Sequence, residues 1–395
     1  MVEGSKNIFH FFGRASKTMI SSLGQIKSSI DKIICIASWL FSSLPRILSD
    51  SRNNDIRLLM IYDLSSQPFS IGDILLFQEA SLVLREQFRV DTVDFALVFN
   101  PVKPAASDPS FSNITEENCL FNIASILPVA QVNPYLGSLF LFNSHAQLEH
   151  FVASNHKRYH FWPPAGCYAT KEYMYYHIFN RLLYDYHKKH NSIPTLTSRQ
   201  NMLSWARLFV EGNVLPSVPV TVQLRRNAIN TARNSNYDAW IEFFQYCETR
   251  YPARFIIICS KSEIDERFRK LSNVVIAKDF HTDIEQDLAL INFSPVHMGA
   301  SAGPGIIAIF SSKPYLLIKT DVQPLLDTGF TIHGNFMQSF FSGPDQKITI
   351  CGETTELLRT EFEKLWEAMD KTWLDSPSGQ SKTHSINNKL YSWLR

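Results

Sequence analysis

Three places in the sequence gather residues whose types suit the handling of a phosphorylated substrate. Gly72 and Asp73 follow a short apolar run and open a stretch with helical spacing. A carboxylate there can accept a proton from an attacking hydroxyl, and it can equally be a first-turn residue that complements the helix dipole. Arg225 and Arg226 close another apolar run, where guanidinium groups can fork onto a diphosphate in a geometry that Lys lacks. Alternation along an extended chain turns only one of the two inward, and a solvated or salt-bridged pair is the competing reading. Residues 298–305 carry Gly299, Ser301, Gly303 and Gly305 in a turn ahead of an apolar helical stretch. Small residues let the backbone approach a ligand, the N–H groups of a helix start favour phosphate, and Ser301 adds a hydroxyl. The same glycines would also serve a tight helix–strand contact, and neither GxxxxGK[ST] nor GxGxxG is present. His297, just before the turn, is a candidate for a contact with sugar or phosphate, or a histidine satisfied by backbone.

These groups need elements to hold them. The run 55–63 reads as a buried strand of the parallel-sheet kind. After it come the 64–73 loop, a helix over 74–88 and a second strand over 93–99, which make one right-handed βαβ unit. Between 101 and 216 the pattern is irregular: strands are expected over 123–132 and 137–142, and helices over 171–189 and 198–211. A Gly- and Pro-containing segment at 212–219 is the expected domain boundary. The α/β rhythm then restarts, with strands over 220–224, 255–259, 274–276, 295–298 and 315–318. Helices are expected over 237–250, 263–270, 284–291 and 305–311, the alternation of an open parallel sheet covered on both faces. In such sheets ligands sit beyond the carboxyl ends of the strands, where Asp73, the two arginines and the Gly-rich turn all fall. The fold class expected is therefore α/β, with two Rossmann-like domains facing across a cleft. Its parts are an amphipathic amino-terminal segment (1–55), a first domain (56–214), a second (215–350), and a carboxyl-terminal helix with a tail (351–395) packing back on the first.

Composition narrows the classes further. A chain of 395 residues, 45% hydrophobic and 19% charged, can bury two ordinary cores. A formal net charge of +1 supplies no basic field for nucleic acid. The six cysteines are scattered singly without metal-ligand spacing, which points to buried free thiols and no metal site. Residues 33–48 are apolar but too short and too interrupted to span a bilayer. Upstream, Lys6, Arg14, Lys17, Lys27 and Lys32 alternate with apolar residues, as suits either a segment lying on an anionic membrane surface or a helix packed on the protein itself. A cleaved signal is disfavoured, so a cytoplasmic protein with peripheral membrane contact is expected. Asp283 or Thr282 reads as a cap for a helix that His281 precedes. Tyr159, His160, Phe161 and Trp162, with Tyr173, Tyr175, Tyr176 and His177, read as core or as an aromatic platform for a sugar.

The runs 58–63, 71–77 and 84–86 together resemble the opening of the bacterial heptosyltransferase-like glycosyltransferases, whose first strand leads to a loop ending in Gly-Asp. Residues 222–226 with Trp240 and Phe243 are similar to the family's second-domain opening, and 299–305 with 308–315 to its donor-binding turn, helix and strand. The resemblance covers roughly 56–350, with the middle unmatched. It implies a GT-B fold and a nucleotide-sugar donor held mainly by the second domain. The sugar would pass to a saccharide or lipid-linked acceptor without metal or cofactor. By it Asp73 matches the base, with Gly72 beside it on the acceptor-side loop. Arg225 or Arg226 matches the phosphate-stabilising cation, and Ser301 with Gly303 the donor-contacting turn. The family's turn often reads Asp-Thr-Gly where this chain has Ala300, Ser301, Ala302 and Gly303, so an acidic donor contact is missing, and paired arginines after a strand are also similar to fucosyltransferases. The sugar is accordingly left open. Two rivals use the same scaffold: a nucleotide-sugar epimerase, which needs more acids and bases in the cleft, and a non-catalytic saccharide-binding protein.

Overall fold

The computed structural model describes residues 56–100, 115–164, 174–228, 231–318, 326 and 329–369. The amphipathic segment expected over 1–55 lies outside them. Strands β1 (Arg57–Asp63), β2 (Val93–Val98), β3 (Leu136–Phe142) and β4 (Tyr159–Trp162) form a parallel sheet in the order β3-β2-β1-β4. The run of apolar residues in β1 follows from burial on both faces. Leu58, Met60 and Tyr62 join one apolar cluster, and Leu59 and Ile61 join another. Helix α1 (Ile71–Phe88) is capped by the Ser70 hydroxyl at its start and by Arg89 in the left-handed region at its end. Its residues are buried on nearly every side between Ile74 and Leu84, as a helix must be when it lies between its own sheet and a second body.

One stretch departs from the expected strand. Residues 123–132 are helical, as α2 (Cys119–Ile126) followed by a 3₁₀ turn over Leu127–Val132. The buried positions Cys119, Ile123, Ile126 and Val129 recur every three or four residues, a helical period inside an apolar run short enough to pass for a strand. Helices α3 (His145–Asn155), α4 (Met174–His190) and α5 (Gln200–Asn213) complete the first half.

The second half contains β5 (Val218–Gln223), α6 (Tyr237–Glu248), β6 (Ala253–Ile258), β7 (Val274–Ile276), α7 (Ile284–Phe293), β8 (Val296–Ala300), α8 (Ile306–Ile309) and β9 (Tyr315–Ile318). Strands β10 (Phe330–His333), β11 (Phe336–Ser339) and β12 (Gln346–Thr349) extend the sheet. Its order is β10-β11-β12-β9-β8-β5-β6-β7, with β10 and β11 antiparallel to their neighbours. Where one helix was expected over 263–270 there are two 3₁₀ turns, because Ser260 and Asp265 each cap a turn of their own. Helix α9 (Thr355–Ala368) was expected to pack on the first domain; it lies on the second. Its stripe of Leu358, Phe362 and Leu365 fits the aromatic face of α6, with Phe243 and Phe362 ring centroids 5.3 Å apart. The tail beyond 369 lies outside the described residues.

The halves meet closely. The largest apolar cluster runs from Leu58 and Leu84 of the first sheet and its helix to Leu288, Ile307 and Phe310 of the second half. Helix α5, on the amino-terminal side of the 212–219 boundary, docks across it onto α7. The Asn292 side chain accepts from the Ser198 N–H and hydroxyl at 2.8 and 2.9 Å, and Arg199 pairs with Glu285 at 2.6 Å.

Candidate functional site

Among the parallel strands of each sheet the direction of growth reverses once. In the first, the chain steps outward from β1 to β2 and β3, then returns to place β4 on the other side of β1; in the second the same reversal separates β5 from β8. Crevices beyond the carboxyl ends of strands at such points are where α/β sheets bind ligands. The loop to Gly72 and Asp73 leaves the first of these points. Arg225 leaves β5, and Ser301 leaves β8, at the second.

The two points are brought together. A Cβ on Gly72 would lie 3.3 Å from Cγ1 of Ile306 and 3.6 Å from the Gly303 Cα. A Cβ on Gly303 would lie 2.7 Å from Cβ of Ile71 and 3.1 Å from the Gly72 nitrogen. The start of α1 therefore rests directly on the Gly-rich turn, and the absence of a side chain at Gly303 is what permits that approach. Asp73 is the third residue of α1 and half-buried; its N–H donates to the Ser70 hydroxyl at 3.4 Å.

Around the turn each glycine meets a different neighbour. Gly299 lies in β8 opposite Gln223 with φ of +135°, and a Cβ there would fall 2.1 Å from the Gln223 carbonyl oxygen. Gly305 sits over His297, whose Nε2 is 3.1 Å from the position of a Cβ. His297 is fully buried in β8; its Nδ1 is 3.0 Å from the Thr221 hydroxyl, and Nε2 has no hydrogen-bond partner among the described residues. Burial, with Lys313 nearby, lowers its pKa to about 3 and keeps the ring neutral. The Ser301 N–H donates to the Ile318 carbonyl at 2.8 Å, and the residue is buried. The turn leads into a 3₁₀ stretch over Gly303–Gly305 and then a four-residue helix. A helix this short offers local N–H groups and little helix dipole.

The two arginines diverge. Arg226 is exposed, pairs with Asp265 at 3.7 Å and lies over the Tyr237 ring at 4.5 Å. Arg225 is half-buried, and its backbone exchanges hydrogen bonds with Ser235 at 2.8 and 3.2 Å. A third cation, Arg233, donates through its guanidinium to the Ser301 carbonyl oxygen and so reaches the turn itself. Sequence pattern gave no strand or helix to place it on, because it sits in a short 3₁₀ turn within a polar loop. Asn236, which caps α6, donates its N–H to the buried carboxylate of Glu353, tying that loop to the segment before α9.

Other candidates go to packing. Tyr159 and Trp162 of β4 are buried, Tyr159 donates to Asp94 at 2.7 Å, and His160 stacks on Phe88 with centroids 4.4 Å apart. Of their proposed aromatic partners, Tyr173 lies outside the described residues. Asp283 caps α7, accepting from the Gln286 N–H at 2.8 Å. Cys119, Cys247 and Cys259 are buried free thiols whose pKa values burial raises, that of Cys259 to about 12. Among the described residues, no three metal-ligating side chains converge and no helix is long and apolar enough to cross a membrane.

No protein-family model and no curated protein sequence matches the chain. Solved structures do. The E. coli ADP-heptose lipopolysaccharide heptosyltransferase II superposes over 79% of this chain and 99% of its own, with a TM-score of 0.50 and 10% identity. A family 9 glycosyltransferase from Veillonella parvula covers 80% and 99%, with a TM-score of 0.49 and 9% identity. The architecture is the GT-B arrangement of two Rossmann-like domains, as in the E. coli structure.

Proposed function

We propose that the protein is a glycosyltransferase that moves a sugar from a nucleotide-sugar donor to a saccharide or lipid-linked acceptor in surface glycan synthesis. The observation that carries this reading is the apposition of Gly72 and Gly303, which sets the start of α1, and with it Asp73, against the turn at the second domain's reversal point. In this reading Asp73 takes the proton of the attacking acceptor hydroxyl as the new glycosidic bond forms. The nucleoside diphosphate departs with the electron pair of the broken bond, giving inversion at the transferred carbon. Arg225, and Arg233 on the same loop, offset the charge developing on the diphosphate, and the N–H groups of Ala302 and Gly303 contact it. That division assigns the leaving-group charge to guanidinium groups and asks for neither metal nor cofactor. Arg226, held by Asp265 and Tyr237, serves the loop. His297 supports the turn from beneath Gly305. The E. coli structure is named for ADP-heptose, and a sugar joined to a nucleoside diphosphate is the donor class proposed here. Residues 1–50 are proposed to rest on the cytoplasmic membrane face, where lipid-linked acceptors would be met.

The test is Asp73→Asn assayed against a panel of nucleotide sugars. Transfer should fall by at least about 100-fold, the usual scale for losing a positioned base, while nucleoside diphosphate still raises the melting temperature as in the wild type. Undiminished turnover in this variant would remove Asp73 from the mechanism. A donor converted in the absence of any acceptor would point instead to epimerisation.

A further inference from the structure

The first sheet carries a second polar constellation at its carboxyl edge. Asp63 is the last residue of β1, and its carboxylate is wholly buried. One oxygen accepts the Ser65 N–H at 2.9 Å, and the other lies 2.6 Å from Nε2 of His145. His145 is the first residue of α3, which Ser144 caps immediately after β3. Its side chain is 43% exposed, so the ring spans from a buried anion to solvent. Nδ1 has no protein partner among the described residues. The ring is oriented by a sealed carboxylate and presents its other nitrogen outward, on the edge of the sheet from which the loop to Asp73 also departs.

We propose that Asp63 and His145 form the acceptor-side hydroxyl-recognition site, in which His145 binds a saccharide hydroxyl and Asp63 is the positioning residue. The proposal rests on the sugar-transfer reading above. The chemistry follows from the pairing. With Nε2 held by Asp63, Nδ1 is the ring nitrogen left to exchange a hydrogen bond with a hydroxyl, which can both donate and accept. Paired with the Asp63 carboxylate, the imidazole belongs to a unit with no excess positive charge to offer a phosphate, so the pair suits hydroxyl-bearing groups better than anionic ones. The buried carboxylate also fixes the ring's rotation, which lowers the entropy lost when the ligand binds. The donor's diphosphate goes to the loop of the second domain that carries Arg225 and Arg233, and the acceptor's hydroxyls go to the Asp63–His145 pair of the first.

The full chain, labelled with ¹⁵N-histidine, is titrated with methyl glycopyranosides of gluco, galacto, manno and 2-acetamido-gluco configuration. At least one should shift the Nδ1 resonance of His145 saturably, with the signal assigned by its loss in His145→Gln. In Asp63→Asn the same titration should weaken about three- to tenfold, the size of one oriented hydrogen bond. Because Asp63 is buried, the exposed His145→Ala provides a second measure: saccharide affinity read from the ligand's own signals should fall by a similar factor. A panel in which no saccharide moves the His145 resonance overturns the proposal, as does unchanged affinity in His145→Ala. Saccharide binding at His145 without transfer from any donor would leave this site standing and remove the transferase reading. Transfer that Asp73→Asn abolishes, with no saccharide at His145, does the reverse.

Discussion

Lys313 in the second half and Glu79 in the first are both desolvated ionisable groups, and the two halves treat them differently. The Lys313 ammonium donates to the carbonyl oxygens of Ile291, Asn292 and Ser294 at the end of α7. Burial pulls its pKa down to about 7, against three acceptors that favour the charged form and that would otherwise be orphan carbonyls. Glu79, in the middle of α1, is wholly buried, and neither of its oxygens has a hydrogen-bond partner among the described residues. The contrast extends to the sites. Around the Gly-rich turn His297 and Ser301 are sealed and the glycines are held in close contact with β5, α1 and His297. The groups of the first half that can meet a substrate, Asp73 and His145, remain partly exposed. The second half is a platform shaped by packing, and the first keeps its polar chemistry accessible.

The largest effect that would break this contrast is at Gly299. Its alanine variant must place a Cβ 2.1 Å from a backbone oxygen of β5, in a region of positive φ that side chains rarely adopt. The register of β5 against β8 cannot shift without undoing both strands. Gly299→Ala should cost more than about 4 kcal/mol, enough to leave the second half unfolded. A urea midpoint within error of the wild type would mean that the platform is not held by this contact. Gly303→Ala comes next, because its Cβ meets Cβ of Ile71 and the Gly72 nitrogen, both fixed to the backbone at the start of α1, which must shift to make room. A stability loss of about 1–3 kcal/mol is expected, together with a larger fall in transfer rate, since α1 and Asp73 move away from the turn. Transfer preserved alongside the stability loss would separate the apposition from catalysis.

How much of this was legible in the sequence follows the same division. In the second half, strands buried on both faces read as apolar runs, and the expected strand over 315–318 is Tyr315–Ile318 as observed. The turn at 299–305 stood out because its glycines are dense. What each glycine does was not readable, since the partners Gln223, Ile71 and His297 are fixed by sheet register and domain contact and not by neighbours in the chain. In the first half, the strand–loop–helix opening was clear, whereas α2 looked like a strand because its helical period lies inside an unbroken apolar run. The Asp63–His145 pair was invisible for a different reason. The two residues are 82 positions apart, and only the parallel order β3-β2-β1 brings the ends of their elements to one edge. Arg233 escaped notice because nothing local distinguishes it from other cations in polar loops, and its bond to Ser301 crosses 68 residues.

The smallest expected effect tests the first half's tolerance for an unsatisfied group. Burial holds the Glu79 carboxyl well above the ordinary carboxylate range, so the folded protein keeps a proton that the unfolded chain releases. Where the folded state binds more protons, stability falls as pH rises. The contribution is intact below the unfolded value and is lost as pH climbs toward the folded one. Glu79→Gln keeps the volume of the side chain, removes the titration and supplies a neutral amide. Relative to the wild type it should melt at the same temperature near about pH 4. Near about pH 8 it should melt about 2–4 °C higher, the shift that ~1 kcal/mol produces in a domain of this size. A flat difference between variant and wild type across that range would mean that Glu79 gains a partner in solution. The contrast with Lys313 would then be one of ligand occupancy and not of the chain itself.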